Sequence, residues 1–318
     1  MKRSFTLAVC ICLALLVALS VLTVQAAENQ FDFEYSVIDG SLTVTKYISD
    51  KPNAVVPDSI DGMPVTAIAS EAFKGNQTLK SVTVPDSVFS IGNSAFRGCS
   101  SLEVVELGDG VREIGDYAFY DCHVLAHIDL PSGLIDIGSS AFRYCYALRE
   151  ITIPETVCTI GNDAFNDCRL LEYVKLDANL SGGYDTSSKL FYTDSDNSDG
   201  FTLVIGKGVS EIPDYAFYQA AVRELVFEAD SQCRSIGAYA FGLCEKLQKI
   251  EIPESVFAVG DGAFYNCTEI CDIEFNAASM SNAGEKNKIF NKVGQNGDGI
   301  RLFIGESVLR IPDHLFCP

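Results

Sequence analysis

A unit of 23 residues recurs along this chain, and it limits the possible folds more than any other feature of the sequence. Five consecutive units begin at Leu79, Leu102, Leu125, Leu148 and Leu171. Each unit reads L-x-x-V/I-x-V/I/L-P-x-x-V/L-x-x-I-G-x-x-A-F-x-x-C. A unit of this size cannot bury its own apolar face, so neighbouring units must stack and share one core. The repeat therefore predicts a solenoid.

Two apolar positions of the unit recur nine times. The first is an isoleucine or valine, usually before glycine, and the second is a phenylalanine after alanine or leucine. The first set is Ile68, Ile91, Ile114, Ile137, Ile160, Ile212, Ile236, Val259 and Ile311. The second set is Phe73, Phe96, Phe119, Phe142, Phe165, Phe217, Phe241, Phe264 and Phe316. Nine rungs are visible on this pattern.

Within a rung, the order of residues predicts the local structure. The alternation at Val82 and Val84 is typical of a half-buried strand, and Pro85 ends it. Gly92 then predicts a turn, and Ala95–Phe96 predicts about one helical turn with the ring pointing inward. The expected fold is an α/β repeat solenoid with a parallel sheet of short strands, one strand per rung, and short helical turns.

A longer period of 99 residues overlies the short one, because 148–217 aligns without gaps on 247–316. In each copy, two rungs together contain six extra residues. The extra residues fall in polar, glycine-containing stretches. We therefore expect divergent rungs with excursions at 177–201 and 276–300, anchored by Phe191 and Phe290.

The first 26 residues have the pattern of a secretory signal peptide. Lys2 and Arg3 precede an apolar run, and Val24-Gln25-Ala26 fits a cleavage site. An uncleaved anchor is the alternative, since an apolar run of about 20 residues could span a bilayer, but the adjacent Ala27 favours cleavage. Cleavage predicts a secreted, extracellular protein with no membrane span, made of a leader at 27–62 and a solenoid at 63–318.

The charge of the chain excludes some partners. The formal net charge is -20, and removal of Lys2 and Arg3 leaves 21 basic against 43 acidic residues. Such a surface repels phosphate backbones and anionic lipids. We therefore expect no nucleic-acid partner. The 47% hydrophobic content is too high for a disordered acidic chain, so the acidic residues should coat a packed core.

These motifs resemble one known family. The repeated I-G-x-x-A-F-x-x-C unit, its variant at 212–217 and the leader segment from Phe31 to Gly62 resemble the BspA-type leucine-rich repeat family of bacterial surface proteins. The resemblance covers the chain from about Phe31 to its end. It implies a leucine-rich-repeat fold and a non-catalytic role in adhesion at the cell surface, through binding of host matrix proteins or other cells. It does not identify the ligand.

Six cysteines share one position of the repeat. In a secreted protein they could form disulfides. However, side chains in neighbouring parallel strands keep a spacing of about 4.8 Å, beyond the roughly 3.8 Å that disulfide Cβ atoms prefer. We expect a column of buried free thiols and no metal site, since no C-x-x-C pair is present. The six are Cys99, Cys122, Cys145, Cys168, Cys244 and Cys267.

The sequence offers little for catalysis. The three histidines are His123, His127 and His314, and none has a partner at a spacing typical of a triad or a metalloprotease helix. The acidic segment 194–200 lacks the glycine and glutamate positions of a calcium-binding EF-hand loop, and it is interpreted as a solvated turn. We therefore expect no enzyme activity, no cofactor and no resident metal.

Alternate residues of each predicted strand must point outward, and they form a strip across the rungs. This column contains seven acids and two lysines, with three apolar residues, and it suits a basic extracellular or host protein. The alternative is that it is merely the solvated face of the sheet. The candidate binding residues are Glu106, His127, Asp129, Glu150, Tyr173, Lys175, Glu224, Glu251, Asp272 and Glu274. The column also includes Ser81, Thr83, Val104, Thr152, Val226 and Lys249.

Two other functions remain open. The chain could be the non-catalytic repeat region of a larger extracellular enzyme, or a structural spacer that holds another module away from the cell wall. The final rung stops at Phe316-Cys317-Pro318 without a polar cap. We expect further rungs, another domain or end-to-end association to cover it.

Overall fold

The computed structural model describes residues 30–193, 199–277, 289–296, 299–309 and 311. These residues form a parallel β-solenoid of about ten turns, so the predicted stack of 23-residue rungs is confirmed. The described part of the chain contains one helical segment, a 3-10 turn at Gln30–Asp32. The expected signal peptide and the last phenylalanine, Phe316, lie outside the described residues.

The leader folds as the first layers of the same stack. Its strands β1 and β2 form an antiparallel hairpin, and β2 then pairs in parallel with β5. Strand β3 pairs with the first regular rung. The leader strands are β1 (Phe33–Ile38), β2 (Ser41–Tyr47), β3 (Asn53–Val55), β4 (Ser59–Ile60) and β5 (Met63–Ile68).

Most rungs contribute two strands, where the sequence predicted one. The longer strand, on what we call the front, is the predicted one with alternating burial. The front strands after β3 are β6 (Ser81–Val84), β8 (Val104–Leu107), β10 (His127–Ile128), β12 (Glu150–Ile153), β14 (Tyr173–Leu176), β15 (Phe201–Ile205), β17 (Val222–Phe227), β19 (Lys249–Ile252), β21 (Asp272–Phe275) and β22 (Arg301–Ile304).

The second strand, on the back, has two residues and usually ends at the isoleucine before glycine. These back strands are β7 (Ser90–Ile91), β9 (Glu113–Ile114), β11 (Asp136–Ile137), β13 (Thr159–Ile160), β16 (Glu211–Ile212), β18 (Ser235–Ile236) and β20 (Ala258–Val259). The following glycine allows the rungs to approach closely. A Cβ at Gly138 would stand 2.5 Å from the backbone nitrogen of Asp116 in the preceding rung, so only glycine fits there.

The expected helical turn is absent, which corrects that part of the prediction. The corner from Gly92 to Cys99 is a run of tight turns in which Ser94 and Gly98 have positive φ. In this backbone conformation, every second N–H points along the stack toward the next rung. Ser94 N, for example, donates to Asp116 O in the next rung at 2.8 Å. A helix would keep these N–H groups within its own rung. The corner therefore gives the stack a further ladder of hydrogen bonds between rungs.

Phenylalanine rings form a continuous column inside the solenoid. Consecutive rings of the regular rungs stack almost parallel, as between Phe96 and Phe119 at 5.1 Å and 2°. The predicted anchors of the divergent rungs join the column, because Phe191 stacks on Phe165 at 4.9 Å and Phe290 stacks on Phe264 at 5.4 Å. One large buried ring per rung accounts for much of the core.

The divergent rung after β14 contains a complete front strand. β15 pairs with β14 on one side and with β17 on the other, with Val174 opposite Leu203. The predicted excursion at 177–201 precedes this strand, and no two-residue back strand occurs among its described residues. The second excursion, 276–300, lies partly outside the described residues and is followed by β22.

Candidate functional site

The front face presents the predicted strip, which we call the acidic strip. Its candidate residues all lie on the outward side of front strands or directly after them, while the residues between them are buried. Glu106, His127, Asp129, Glu150 and Tyr173 are exposed. Lys175, Glu224, Glu251, Asp272 and Glu274 are half-buried. The strip is therefore most accessible toward its N-terminal end.

The parallel register aligns the acidic strip from rung to rung. Glu150 lies opposite Tyr173, Lys249 lies opposite Asp272, and Glu251 lies opposite Glu274. The register also adds residues that the sequence reasoning missed. They are Thr202 and Val204 between the rungs of Tyr173 and Glu224, and Arg301 and Phe303 beyond Asp272.

The signal for Thr202 and Val204 was present in the sequence. Burial-type alternation typical of a strand is present in the run Phe201-Thr202-Leu203-Val204-Ile205. The strand was not recognised because it follows a polar stretch.

In the N-terminal part of the acidic strip, His127 lies between two carboxylates. Its Nε2 is 3.3 Å from Asp129 Oδ2, and its Nδ1 is 3.6 Å from Glu150 Oε1. One rung earlier, the Thr83 hydroxyl donates to Glu106 Oε2 at 2.9 Å. Among the described residues, no lysine or arginine lies within ion-pair distance of Glu106, Asp129 or Glu150, so these three acids have little charge compensation.

In the middle of the acidic strip, Lys175 is held by two acids. Its Nζ is 2.9 Å from Glu228 Oε1 and 3.2 Å from Asp177 Oδ1. The hydrogen bond to Glu228 is the main cause that raises the pKa of Lys175. The same bond lowers the pKa of Glu228, whose carboxylate also accepts the backbone N–H of Lys207 at 3.0 Å. Lys175 therefore neutralises its neighbours and is poorly placed to bind an acidic ligand.

Toward the C-terminal end, the acids have partners within the chain. The side-chain amide of Asn276 donates to both Glu251 and Glu274, each at 3.2 Å. Arg301 donates to Asp272 at 2.6 Å. These contacts and the partial burial reduce the capacity of the three acids to pair with a ligand.

An open groove of about 570 Å³ adjoins this end of the acidic strip, beyond the carboxyl ends of β17 and β19. Among the described residues, its lining includes five acidic side chains and no lysine or arginine, which extends the negative potential of the strip over the loops. The acidic lining residues are Glu228, Asp230, Glu251, Glu254 and Glu306.

The cysteines at the repeat position are buried free thiols in the structure, as the spacing predicted. Each thiol donates to the carbonyl of a phenylalanine in the preceding rung, as Cys122 Sγ does to Phe96 O at 3.2 Å. Burial raises the pKa of Cys99 to about 12 and raises that of the deeper thiols further. Thiols of this kind are poor nucleophiles, so the column has a packing role.

Other motifs from the sequence give no assembled site in the described part of the chain. His123 pairs with Asp121 and stacks on Tyr146, and neither contact supplies a nucleophile. Most of the acidic segment 194–200, and His314, lie outside the described residues. Within the described residues, no group of three or more His, Cys, Asp or Glu side chains could hold a metal ion. No described helix is long and apolar enough to cross a membrane.

The fold and the repeat define a class, the leucine-rich-repeat solenoids, and the comparison with known families narrows it. The chain matches the BspA type leucine rich repeat region over residues 66–195 and 203–316. This protein therefore belongs to the BspA-type leucine-rich repeat family, a family of bacterial surface proteins. Repeats of this kind are generally non-catalytic, and leucine-rich repeat proteins generally bind proteins.

Solved structures of bacterial leucine-rich repeat proteins are similar to this chain. A leucine-rich repeat protein of T. pallidum is 31% identical, with a TM-score of 0.52, over 68% of this chain and 88% of the other. One from Bacteroides ovatus is 19% identical, with a TM-score of 0.43, over 86% and 98%. A leucine-rich cell surface protein of Faecalibacterium prausnitzii is 20% identical, with a TM-score of 0.32, over 87% and 94%. No curated protein is significantly similar in sequence.

Proposed function

We propose that this protein is a secreted, surface-exposed and non-catalytic adhesin that binds a basic segment of an extracellular or host protein along the acidic strip. The observation that carries the proposal is the column of exposed acids along the stacked front strands. The family of the chain supports a surface location, and its signal-peptide pattern supports secretion.

The charge of the acidic strip selects the partner. Glu106, Asp129 and Glu150 are exposed and have no lysine or arginine within ion-pair distance among the described residues. A basic segment would supply the missing cations. It would also be steered toward the sheet by the net charge of -20.

Apolar contacts would lie between these acids. Val104 and Tyr173 are 41% and 37% exposed on the same face. A tyrosine at such a position offers a large contact area at a small cost in conformational entropy. We therefore place the centre of the interface between the rungs of Glu106 and Tyr173, where the strip is open, rather than at its C-terminal end.

Charge reversal at two exposed acids tests the proposal. With a labelled copolymer of lysine and tyrosine as the probe, Glu106→Lys with Glu150→Lys should weaken binding at least tenfold at low salt. The affinity of the wild-type protein should fall as salt rises, because screening acts over about 8 to 10 Å. Fluorescence anisotropy measures both effects.

The matched control is Glu113→Lys with Glu155→Lys. Both residues are exposed and lie off the acidic strip, on β9 and in the turn after β12. The control changes the net charge by the same amount. Equal losses in the two double variants would mean that net charge alone attracts the probe. Absence of binding by the wild-type protein would favour the spacer or the enzyme-associated repeat region instead.

A further inference from the structure

A second surface, on the corners of the solenoid, is rich in tyrosine. Nine of the 13 tyrosines of the chain lie at outward positions that flank or follow the buried phenylalanine of a rung. We call this surface the tyrosine flank. Its members are Tyr117, Tyr120, Tyr144, Tyr146, Tyr192, Tyr215, Tyr218, Tyr239 and Tyr265.

The tyrosines contact one another across rungs. Tyr120 meets Tyr117 at 5.6 Å and Tyr144 at 5.3 Å, both edge to face, and Tyr144 lies 5.9 Å from Tyr146. A second group continues further along, where Tyr215 stacks on Tyr239 at 5.3 Å. The rings therefore form ordered clusters rather than scattered surface residues, and their ordering would cost little on binding.

Arginines cover the faces of these rings. Arg97 lies over Tyr120 at 5.0 Å and Arg169 lies over Tyr146 at 4.3 Å. His123 stacks on Tyr146 as well, at 4.8 Å. With its faces already engaged, Tyr146 is no free platform for a sugar ring. The surface instead offers ring edges, hydroxyls and guanidinium groups, the composition typical of energetic centres in protein–protein interfaces.

Two arginines of the tyrosine flank have terminal nitrogens available for a partner. Arg97 is exposed, and no carboxylate lies within ion-pair distance of it among the described residues. Arg169 pairs with Asp167 through Nε at 3.7 Å, and its side chain is 44% exposed. The terminal nitrogens of these two arginines can therefore donate to a carboxylate of a partner in a bidentate pair.

We propose that the tyrosine flank is a second docking surface, which binds a protein segment carrying carboxylates beside aromatic or apolar side chains. Its guanidinium groups pair with those carboxylates, and its ring edges contact the apolar side chains. Unlike the open N-terminal part of the acidic strip, this surface presents guanidinium groups to a ligand. One molecule can thus bind a basic segment on its front and an acidic segment on its corners.

The repeat itself supplies mild variants for a test. Ser94 and Ser140 occupy the position of Tyr117 in neighbouring rungs, each also with positive φ. Asn166 occupies the position of Arg97, and Ser100 that of Arg169. The triple variant Tyr117→Ser, Arg97→Asn, Arg169→Ser therefore installs residues that this fold already accepts.

The probe is a labelled copolymer of glutamate and tyrosine, used with the mature chain at physiological salt so that the net charge is screened. We expect the triple variant to bind it at least tenfold more weakly than the wild-type protein, with unchanged binding of the lysine–tyrosine copolymer. Glu106→Lys with Glu150→Lys should not weaken binding of the glutamate–tyrosine copolymer. Arg234→Ala, which removes an exposed arginine elsewhere, is the control and should have no effect.

Three results would overturn the proposal. The wild-type protein could fail to bind the glutamate–tyrosine copolymer, or the triple variant could bind it as well as the wild type does. Polygalacturonate, an acidic polysaccharide, could bind more tightly than the copolymer and lose affinity in the same variant, which would assign the tyrosine flank to a glycan. Circular dichroism and thermal melting confirm that the triple variant is folded.

Discussion

The hydrogen-bonded sheets on the front and on the back of the solenoid are interrupted at different rungs. On the front, the ladder of hydrogen bonds stops between β10 and β12, while the back strands β11 and β13 pair without a break at that level. On the back, the ladder stops between β13 and β16, while β14, β15 and β17 pair continuously on the front. At each interruption, backbone pairing on the opposite face still joins the neighbouring rungs.

Side chains and rings connect the rungs where backbone pairing is lost. At the front interruption, His127 approaches Glu150. At the back interruption, Asn179 Oδ1 accepts both the backbone N–H of Ser210 at 2.6 Å and its hydroxyl at 2.9 Å, and Asn179 Nδ2 donates to Gly208 O at 3.1 Å. The phenylalanine column crosses both levels. A solenoid thus tolerates a divergent rung if another set of contacts between rungs, such as the phenylalanine column or the opposite sheet, remains continuous.

The largest expected effect concerns that column. Phe142→Ala should lower the free energy of unfolding by about 3 to 5 kcal/mol, because the ring is fully buried and stacks on Phe119 and Phe165 at 5.2 and 5.1 Å. Phe191→Ala should cost less, since the ring of Phe191 is 5.7 Å from Phe217 and the irregular rung can relax around it. Urea denaturation compares the two, and an equal or larger loss at Phe191 would contradict this view of the divergent rung.

A smaller effect is expected at the back interruption. Asn179→Ala removes three hydrogen bonds between rungs and should cost about 1 to 2 kcal/mol, since neutral bonds near the surface contribute about 1 kcal/mol or less each. Asn162→Ala, at an exposed position of the preceding corner, is the control. Hydrogen exchange should show faster opening around β16 in the Asn179 variant only. Unchanged exchange there would mean that the front sheet alone holds this level.

The smallest expected effect is a decline in the stability of the regular rungs at alkaline pH. Burial raises the pKa of Cys99 from 9.0 to about 12, so the folded state keeps a proton that the unfolded state loses. The contribution of this thiol to stability is complete below pH 9 and declines as the pH rises toward 12. The decline is at most about 1.4 kcal/mol per pH unit.

Cys99→Ala should make this alkaline decline shallower, while the other column thiols keep their contribution, and alanine already fills the corresponding position of another rung at Ala220. Thermal melts from pH 8 to about pH 10 under a non-thiol reductant measure it, with the exposed Cys158→Ala as the control. A parallel decline in the wild-type protein and the Cys99 variant would show that other groups govern alkaline stability.

The repeat predicted the fold well because it is a local pattern with one structural solution. The spacing of Phe96 and Cys99 placed a ring and a thiol in the interior of every regular rung, and the alternation at Val82 placed a front strand. The prediction of a helical turn was wrong. Ala and Phe favour a helix in isolation, but the left-handed residues at Ser94 and Gly98 bond to the next rung instead.

The acidic strip could be derived only in part. Outward positions follow from strand alternation, so Glu106 and Glu150 were identified from the sequence. The insertion of β15 between the rungs of Tyr173 and Glu224, and the pairing of Glu251 and Glu274 through Asn276, were not predicted. They depend on which residues become neighbours after the divergent rung folds, and a regular period carries no information on that.

By itself, the sequence of this protein determined the class of fold, the columns in its core and the outward face of its strands, because each of these repeats with the 23-residue period and requires only that like positions stack. The tertiary structure decided where the ladders stop, which acids are neutralised, and that Arg97 and Arg169 lie over the rings of the tyrosine flank. These contacts join side chains of different rungs, and their distances are set by the packing of the stack rather than by the period.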